Sequence, residues 1–370
     1  MAGGHHTRMQ DHGRHAALAV GLHGVIEDAI ASVPSIPGMM LRVESRRLGL
    51  SWEGAAGLAD RSTQRPLAGS DALRVASVTK TFTAAAVLRL VEQSRLALGT
   101  SIAHELPAAY LAVLSGGGYQ PARITVQDLL YHVSGLFDYA GTLAFDVAVR
   151  TAPGHRWTRL EQVQFAVAHG HPHGAPGAAY HYSDTGYVLL GAIVERVTGL
   201  PLAAAYRALL GFDRLGLRHT YLETLEPEPA DEPIRVHQYY KGLDLSRVDA
   251  SFDLYGGGGL VSTLADLARF YRALFGGRVF ARPATLHTML AIPPTNEDDD
   301  VEGDGYAMGI YKVTADHAAC WGHDGAWGIF AFHCPSLDLN MMVSSNQGDV
   351  ELNEYLLLGR IVRLVHAAVR

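Results

Sequence analysis

The feature that most constrains this 370-residue chain is where its strand-like and helix-like segments fall: strand patterning at both ends, helical spacing between them. Residues 39–43 and 50–56 are short apolar runs joined through Ser45-Arg46-Arg47, a pattern that predicts a β-hairpin. The last quarter repeats that texture. Residues 306–313, 318–322, 328–332 and 340–344 read as strands with turn residues between them, and 352–369 as a closing helix. In between, 76–92, 126–131, 187–198, 203–210 and 264–275 carry apolar residues at helical spacing. Strands at both ends with helices in the middle imply one sheet built from the two termini and a helical lobe beside it. The expected organisation is a loose tail over 1–15 and one α/β (α+β) domain over 16–370. Its α/β lobe would come from 16–70 and 300–370, and its helical lobe from 71–299.

A formal charge of −7 excludes the clustered basic field that neutralising nucleic-acid phosphates requires, so no nucleic-acid partner is expected. No run approaches bilayer length, and no membrane partner is expected either. The apolar run 16–22 is closed by His23 and is too short for a cleaved export signal, which gives a cytoplasmic location as the expectation. Cys320 and Cys334 flank a predicted hairpin and could face each other, but in that compartment they are expected to stay reduced. Residues 297–304 hold six acidic residues in eight positions and read as a solvated loop, and the Pro- and Glu-rich 227–233 as a surface excursion. His169, His171 and His173 alternate in a Gly/Pro-rich loop without a nearby Cys or carboxylate, and no metal is expected there. Nothing calls for a cofactor.

The positive charge rests almost wholly on Arg, the only lysines being Lys80, Lys241 and Lys312. Lys gives up its proton far more readily than Arg when buried, so each invites a chemical question. Lys80 closes Ser77-Val78-Thr79-Lys80 just before a strongly helical run. Side chains three apart on a helix lie about 5–6 Å from each other, close enough for an amine to take a proton from a hydroxyl. The helix dipole favours the developing alkoxide. Alone, Ser-x-x-Lys could equally be a helix cap and a solvated Lys. Two further elements follow in order: Tyr182-Ser183-Asp184 ahead of another helix, and Gly322-His323-Asp324-Gly325-Ala326 on a strand whose glycines allow a substrate backbone to approach.

With all three present, the chain resembles the serine β-lactamase-like superfamily, nearest to class C β-lactamases, DD-carboxypeptidases of the His-x-Gly type, and their esterase and D-aminopeptidase relatives. The resemblance runs from about Val25 to Asn346. It includes Ile124-Thr125-Val126-Gln127-Asp128-Leu129-Leu130-Tyr131-His132-Val133-Ser134-Gly135-Leu136, Thr198-Gly199, Leu215-Gly216-Leu217 and 258–267. It implies an antiparallel sheet flanked by terminal helices, with a mostly helical lobe. It makes Ser77 the nucleophile, Lys80 its proton acceptor or the group that tunes the acceptor, and Tyr182 the proton shuttle to the leaving group. Backbone N–H groups of Ser77 and Ala326 would form the oxyanion hole, where fixed donors are worth roughly 3–4 kcal/mol each. Asp184, His323, Gly325 and Trp327 would meet the substrate, Trp327 as a wall of the acyl pocket. His132, Ser134, Tyr239 and Tyr240 are read as packing, turn or rim residues.

Two departures bear on the substrate. Asp184 stands where many relatives have Asn; ionised, it cannot donate, and it could pair with Lys80 or hold a cationic amine. His323 stands where β-lactamases have Lys, placing a group that titrates near neutrality where a substrate carboxylate would sit. Either role of Asp184 weakens the case for β-lactam or D-Ala-D-Ala cleavage. The expected activity is a serine hydrolase acting on a small-molecule ester or amide through an acyl-Ser77 intermediate. The alternative is an acyltransferase passing the acyl group to an amine or alcohol, and a non-catalytic sensor on the same fold ranks last.

Overall fold

The computed structural model describes residues 3–296, 303–349 and 352–369. Seven strands form one antiparallel sheet: β1 (Gly38–Ser45), β2 (Leu50–Asp60), β3 (Arg65–Pro66), β4 (Tyr311–Ala315), β5 (Ala318–Gly325), β6 (Ile329–Cys334) and β7 (Leu339–Ser344), in the order β3-β2-β1-β7-β6-β5-β4. The termini meet at the β1–β7 pairing, with Met40 opposite Ser344. Alternation along each strand splits the side chains between two cores, because successive residues of a strand face opposite ways. Met39, Leu41, Val43, Phe330, Phe332, Met341 and Val343 pack with Leu22, Val25 and Ile26 of α1 (Gly3–Ser32) and with Leu358, Ile361 and Val362 of the last helix, Glu354–Val369. Met40, Ala331 and Met342 face the helical lobe.

At the centre of that lobe lies α2 (Thr79–Glu92), buried along most of its length, with Phe82 stacked on Phe270. Each large aliphatic or aromatic side chain buried there stabilises by roughly 1.5–3 kcal/mol. The same lobe holds α3 (Leu143–Thr151), and α4 (Asp184–Thr198) and α5 (Leu264–Phe275) pack against α2. A Ser183 cap on the Gly186 N–H starts α4, and Gly199 in the left-handed region ends it. Among the described residues no single helix is long and apolar enough to cross a membrane.

Three local expectations change. Helix α1 begins at Gly3, taking in most of the segment read as a loose tail, and nothing breaks it before Pro34. The strand expected from residue 306 starts at Tyr311, because 307–310 forms a tight turn closed by Ala307 N–H to Ile310 O at 2.8 Å with Gly309 at φ +67°. Cys320 and Cys334, expected reduced, are joined in a disulfide, since the antiparallel register of β5 and β6 sets them opposite each other at a Cα–Cα distance of 4.0 Å. His169 and His173 stack on Phe165 and Phe137 respectively. Of the acidic run, 297–302 lies outside the described residues.

Candidate active site

Ser77 lies on a single turn of 3-10 helix, Ala76–Val78, that leads into α2. Ala76 has φ +43°, a conformation that costs energy for a residue with a Cβ and marks the turn presenting the hydroxyl. The turn sits against the end of β5 because residue 325 is Gly: a Cβ there would lie 2.5 Å from Val75 O.

Lys80, one turn on and fully buried, donates to Ser77 Oγ at 2.7 Å, to Asp184 Oδ1 at 2.5 Å and to Gly257 O at 2.9 Å. Its ammonium has no water to turn to and spends its three protons on these acceptors. Tyr182 Oη donates to Ser77 Oγ at 2.9 Å, and Lys80 Nζ lies 4.9 Å from the centre of the Tyr182 ring. Burial, with the nearby Asp184 charge adding to it, pushes the Tyr182 phenol well above its ordinary value, so it is neutral and holds its proton. No acceptor takes the backbone N–H of Ser77 or Ala326 among the described residues, leaving both free for a substrate carbonyl oxygen.

A cavity of about 650 Å³ opens onto Ser77. Gly325, Ala326 and Trp327 form one wall, where Phe252 meets the Trp327 ring edge-to-face at 6.2 Å. Phe145, Val149 and Leu245 extend the apolar lining, and Tyr240 with Lys241 forms part of the rim. Ser77, Lys80, Tyr182 and Asp184 thus converge as the sequence implied, with Asp184 choosing Lys80 as partner.

His323 is the exception. It is buried behind the wall and does not line the cavity; the next residue, Asp324, does. The reason is a chain of buried polar groups that the sequence did not reveal. Ser183 N–H donates to His132 Nδ1 at 3.1 Å, His132 Nε2 meets Tyr306 Oη at 3.2 Å, and Tyr306 Oη meets His323 Nε2 at 3.1 Å. His323 Nδ1 lies 2.8 Å from Asp324 O. Burial, then the Lys80 charge, holds His132 well below its ordinary pKa, and its ring lies 4.3 Å from that of Tyr182. His132 thus supports the Tyr182 ring as well as the turn it was assigned.

Sequence reasoning also missed Asp138 and Asp253, which lie far apart in the chain and in no recognised motif. Asp138 Oδ1 accepts the Asp184 N–H at 2.9 Å; Asp253 lies against Gly258, as Asp184 lies against Gly257. Burial and then the Asp184 charge raise Asp138 to about 6 and Asp253 to about 7. An acid whose pKa is raised by folding costs no stability below its unfolded value and the full cost above its folded value. Asp253→Asn is therefore expected to raise the melting temperature by a few degrees at pH 8, on the order of 1–2 kcal/mol, and to leave it near wild type at pH 4. Equal shifts at both pH values would refute that origin.

Comparison with known proteins identifies the family. The beta-lactamase family model matches residues 26–359. Esterase EstB of Burkholderia gladioli is 29% identical over 345 residues, covering 85% of each chain. Among solved structures, a D-stereospecific amidohydrolase from Streptomyces sp. superposes with a TM-score of 0.78 at 28% identity, over 92% of this chain and 97% of that one. A D-amino acid amidase from Ochrobactrum anthropi SV3, complexed with L-phenylalanine amide, gives a TM-score of 0.78 at 25% identity, over 95% and 99%. With its fold, its Ser-x-x-Lys turn and a family match along most of its length, the chain belongs to the beta-lactamase family of serine hydrolases.

Proposed function

We propose that the protein hydrolyses a small ester or amide through an acyl-Ser77 intermediate, with Lys80 and Tyr182 moving the protons. The observation that carries this is the meeting of Lys80 Nζ and Tyr182 Oη on one hydroxyl, Ser77 Oγ, at 2.7 and 2.9 Å. Lys80 can accept the Ser77 proton only by giving one of its own away, and Asp184 Oδ1, at 2.5 Å, is the acceptor in reach. Asp138 and Asp253 feel the Asp184 charge, which adds to burial in raising both, so Lys80 is the cation that three neighbouring carboxyl groups share.

As Ser77 Oγ bonds to the substrate carbonyl carbon, its proton passes to Lys80 and the oxyanion settles in the N–H groups of Ser77 and Ala326. Collapse breaks the bond to the leaving group, which takes the Tyr182 proton, and Tyr182 recovers one from Lys80. Water then attacks the acyl carbon and gives its proton to the same network. The free acid departs, and Ser77 Oγ is protonated again. The relatives named as an esterase and as amidases support both bond types.

Incubation with p-nitrophenyl acetate and with phenylalanine amide, read by product mass, tests this: free acid should appear, and its absence with every ester and amide tried would sink the proposal. Repeating the incubation with an added amine separates transfer from hydrolysis. For Tyr182→Phe, kcat should fall about 10²–10³-fold on the amide and far less on the activated ester, because only a poor leaving group needs the proton. An equal fall on both substrates would assign Tyr182 another role.

A further inference from the structure

Among the described residues the cavity is lined by five carboxylates, Asp138, Asp146, Asp184, Asp253 and Asp324, against a single cation at its rim, Lys241. Three of the five are matched by the protein. Asp146 pairs with Arg150 at 2.9 Å, Asp184 with Lys80 at 2.5 Å, and Asp324 lies 3.3 Å from His323 Nδ1. Asp138 receives only backbone N–H groups, from Asp184 at 2.9 Å, Ala140 at 3.4 Å and Gly141 at 3.3 Å. Asp253 receives no hydrogen bond from any described residue and keeps part of its surface on the cavity. Unmatched carboxylates in a partly closed cleft are costly unless a cation joins them.

Resting on the acyl-Ser77 reading, we infer that the acyl group accepted here carries a cationic amine, held by Asp253 and Asp138 beside Asp184. Three independent features agree. Asp253 has an acceptor with no donor. His323 is turned away, so among the described residues no cation other than Lys241 at the rim faces the cavity to meet a substrate carboxylate. The apolar part of the lining, Phe145, Val149, Leu245, Phe252 and Trp327, fits an aliphatic or aromatic group on the same acyl unit. The raised pKa values of Asp138, about 6, and Asp253, about 7, are those of carboxyls short of a countercharge, and a bound ammonium would bring both down. An anionic acyl group would instead face the full row of carboxylates.

The test compares kcat/KM at pH 7 for phenylalanine methyl ester, N-acetylphenylalanine methyl ester and methyl 3-phenylpropanoate. These share the phenyl group and differ in the charge beside the carbonyl. The free-amine ester should lead by at least about tenfold, the factor one charged hydrogen bond is worth. In Asp253→Asn and in Asp138→Asn that ratio should fall toward one, chiefly through KM, whereas damage to the fold would lower all three rates together and leave the ratio standing. A ratio of one or less in the wild type, or an undiminished ratio in both variants, overturns the inference while the hydrolase reading stands. No turnover of any of the three and no acyl adduct overturns both.

Discussion

On incubation with p-nitrophenyl acetate, the wild-type chain is expected to gain the mass of one acetyl group before turnover is complete, and Ser77→Ala to gain none and to lose on the order of 10⁴-fold or more in rate. The size follows from what the hydroxyl does: it forms the bond that splits one difficult step into two, and no neighbour can replace it. The other hydroxyl beside it, Tyr182, is held neutral by burial and already donates to Ser77 Oγ. The fold should tolerate the change. Ser77 is only partly buried, and Ala at this position removes one oxygen, while Lys80 keeps Asp184 and Gly257 O as acceptors. Far-ultraviolet circular dichroism and melting temperature should therefore stay close to wild type. An adduct that persists in Ser77→Ala would mean that another residue is acylated, and the assignment of the nucleophile would fall.

Lys80→Met should cost about 10³-fold in kcat and also destabilise the protein in a pH-dependent way. The side chain is fully buried and is the cation closest to the row Asp138, Asp184 and Asp253. Met has similar length and packs in the same space, so the loss isolates the charge. Removing one partner of a buried pair leaves the other uncompensated, at roughly 3 kcal/mol. The sign with pH follows from protons. Lys80 lowers the pKa values of Asp138 and Asp253, which burial and Asp184 raise above their ordinary value of 3.8, so its removal raises them further. The folded variant then holds protons that the unfolded chain releases, and its stability falls as pH rises from about 4 through 7 and beyond. Urea midpoints should thus drop strongly at pH 8 and little at pH 4. A drop of the same size at both would show that lost packing, and not the carboxylate row, sets the cost.

Sequence alone determined the two-ended sheet and the nucleophile, and both for local reasons. The apolar runs over 39–43, 50–56 and 340–344 are of strand length and bounded by turn residues, and Ser77 and Lys80 are three residues apart on one helical turn, so their meeting needs no tertiary information. Tyr182, Gly325, Ala326 and Trp327 were placed through motifs whose order the family resemblance supplied. Tertiary structure decided the rest. Which way His323 faces depends on Tyr306 and His132, one 17 residues before it and the other on a turn between helices, and no spacing encodes that chain. The pairing of Cys320 with Cys334 depends on the register of β5 on β6. Asp138 and Asp253 look like ordinary loop carboxylates in the sequence. Only the packing of their segments around α4 sets both beside Asp184, where one lysine must serve three acids, and electrostatics at that range depends on distance and burial, which the chain acquires on folding.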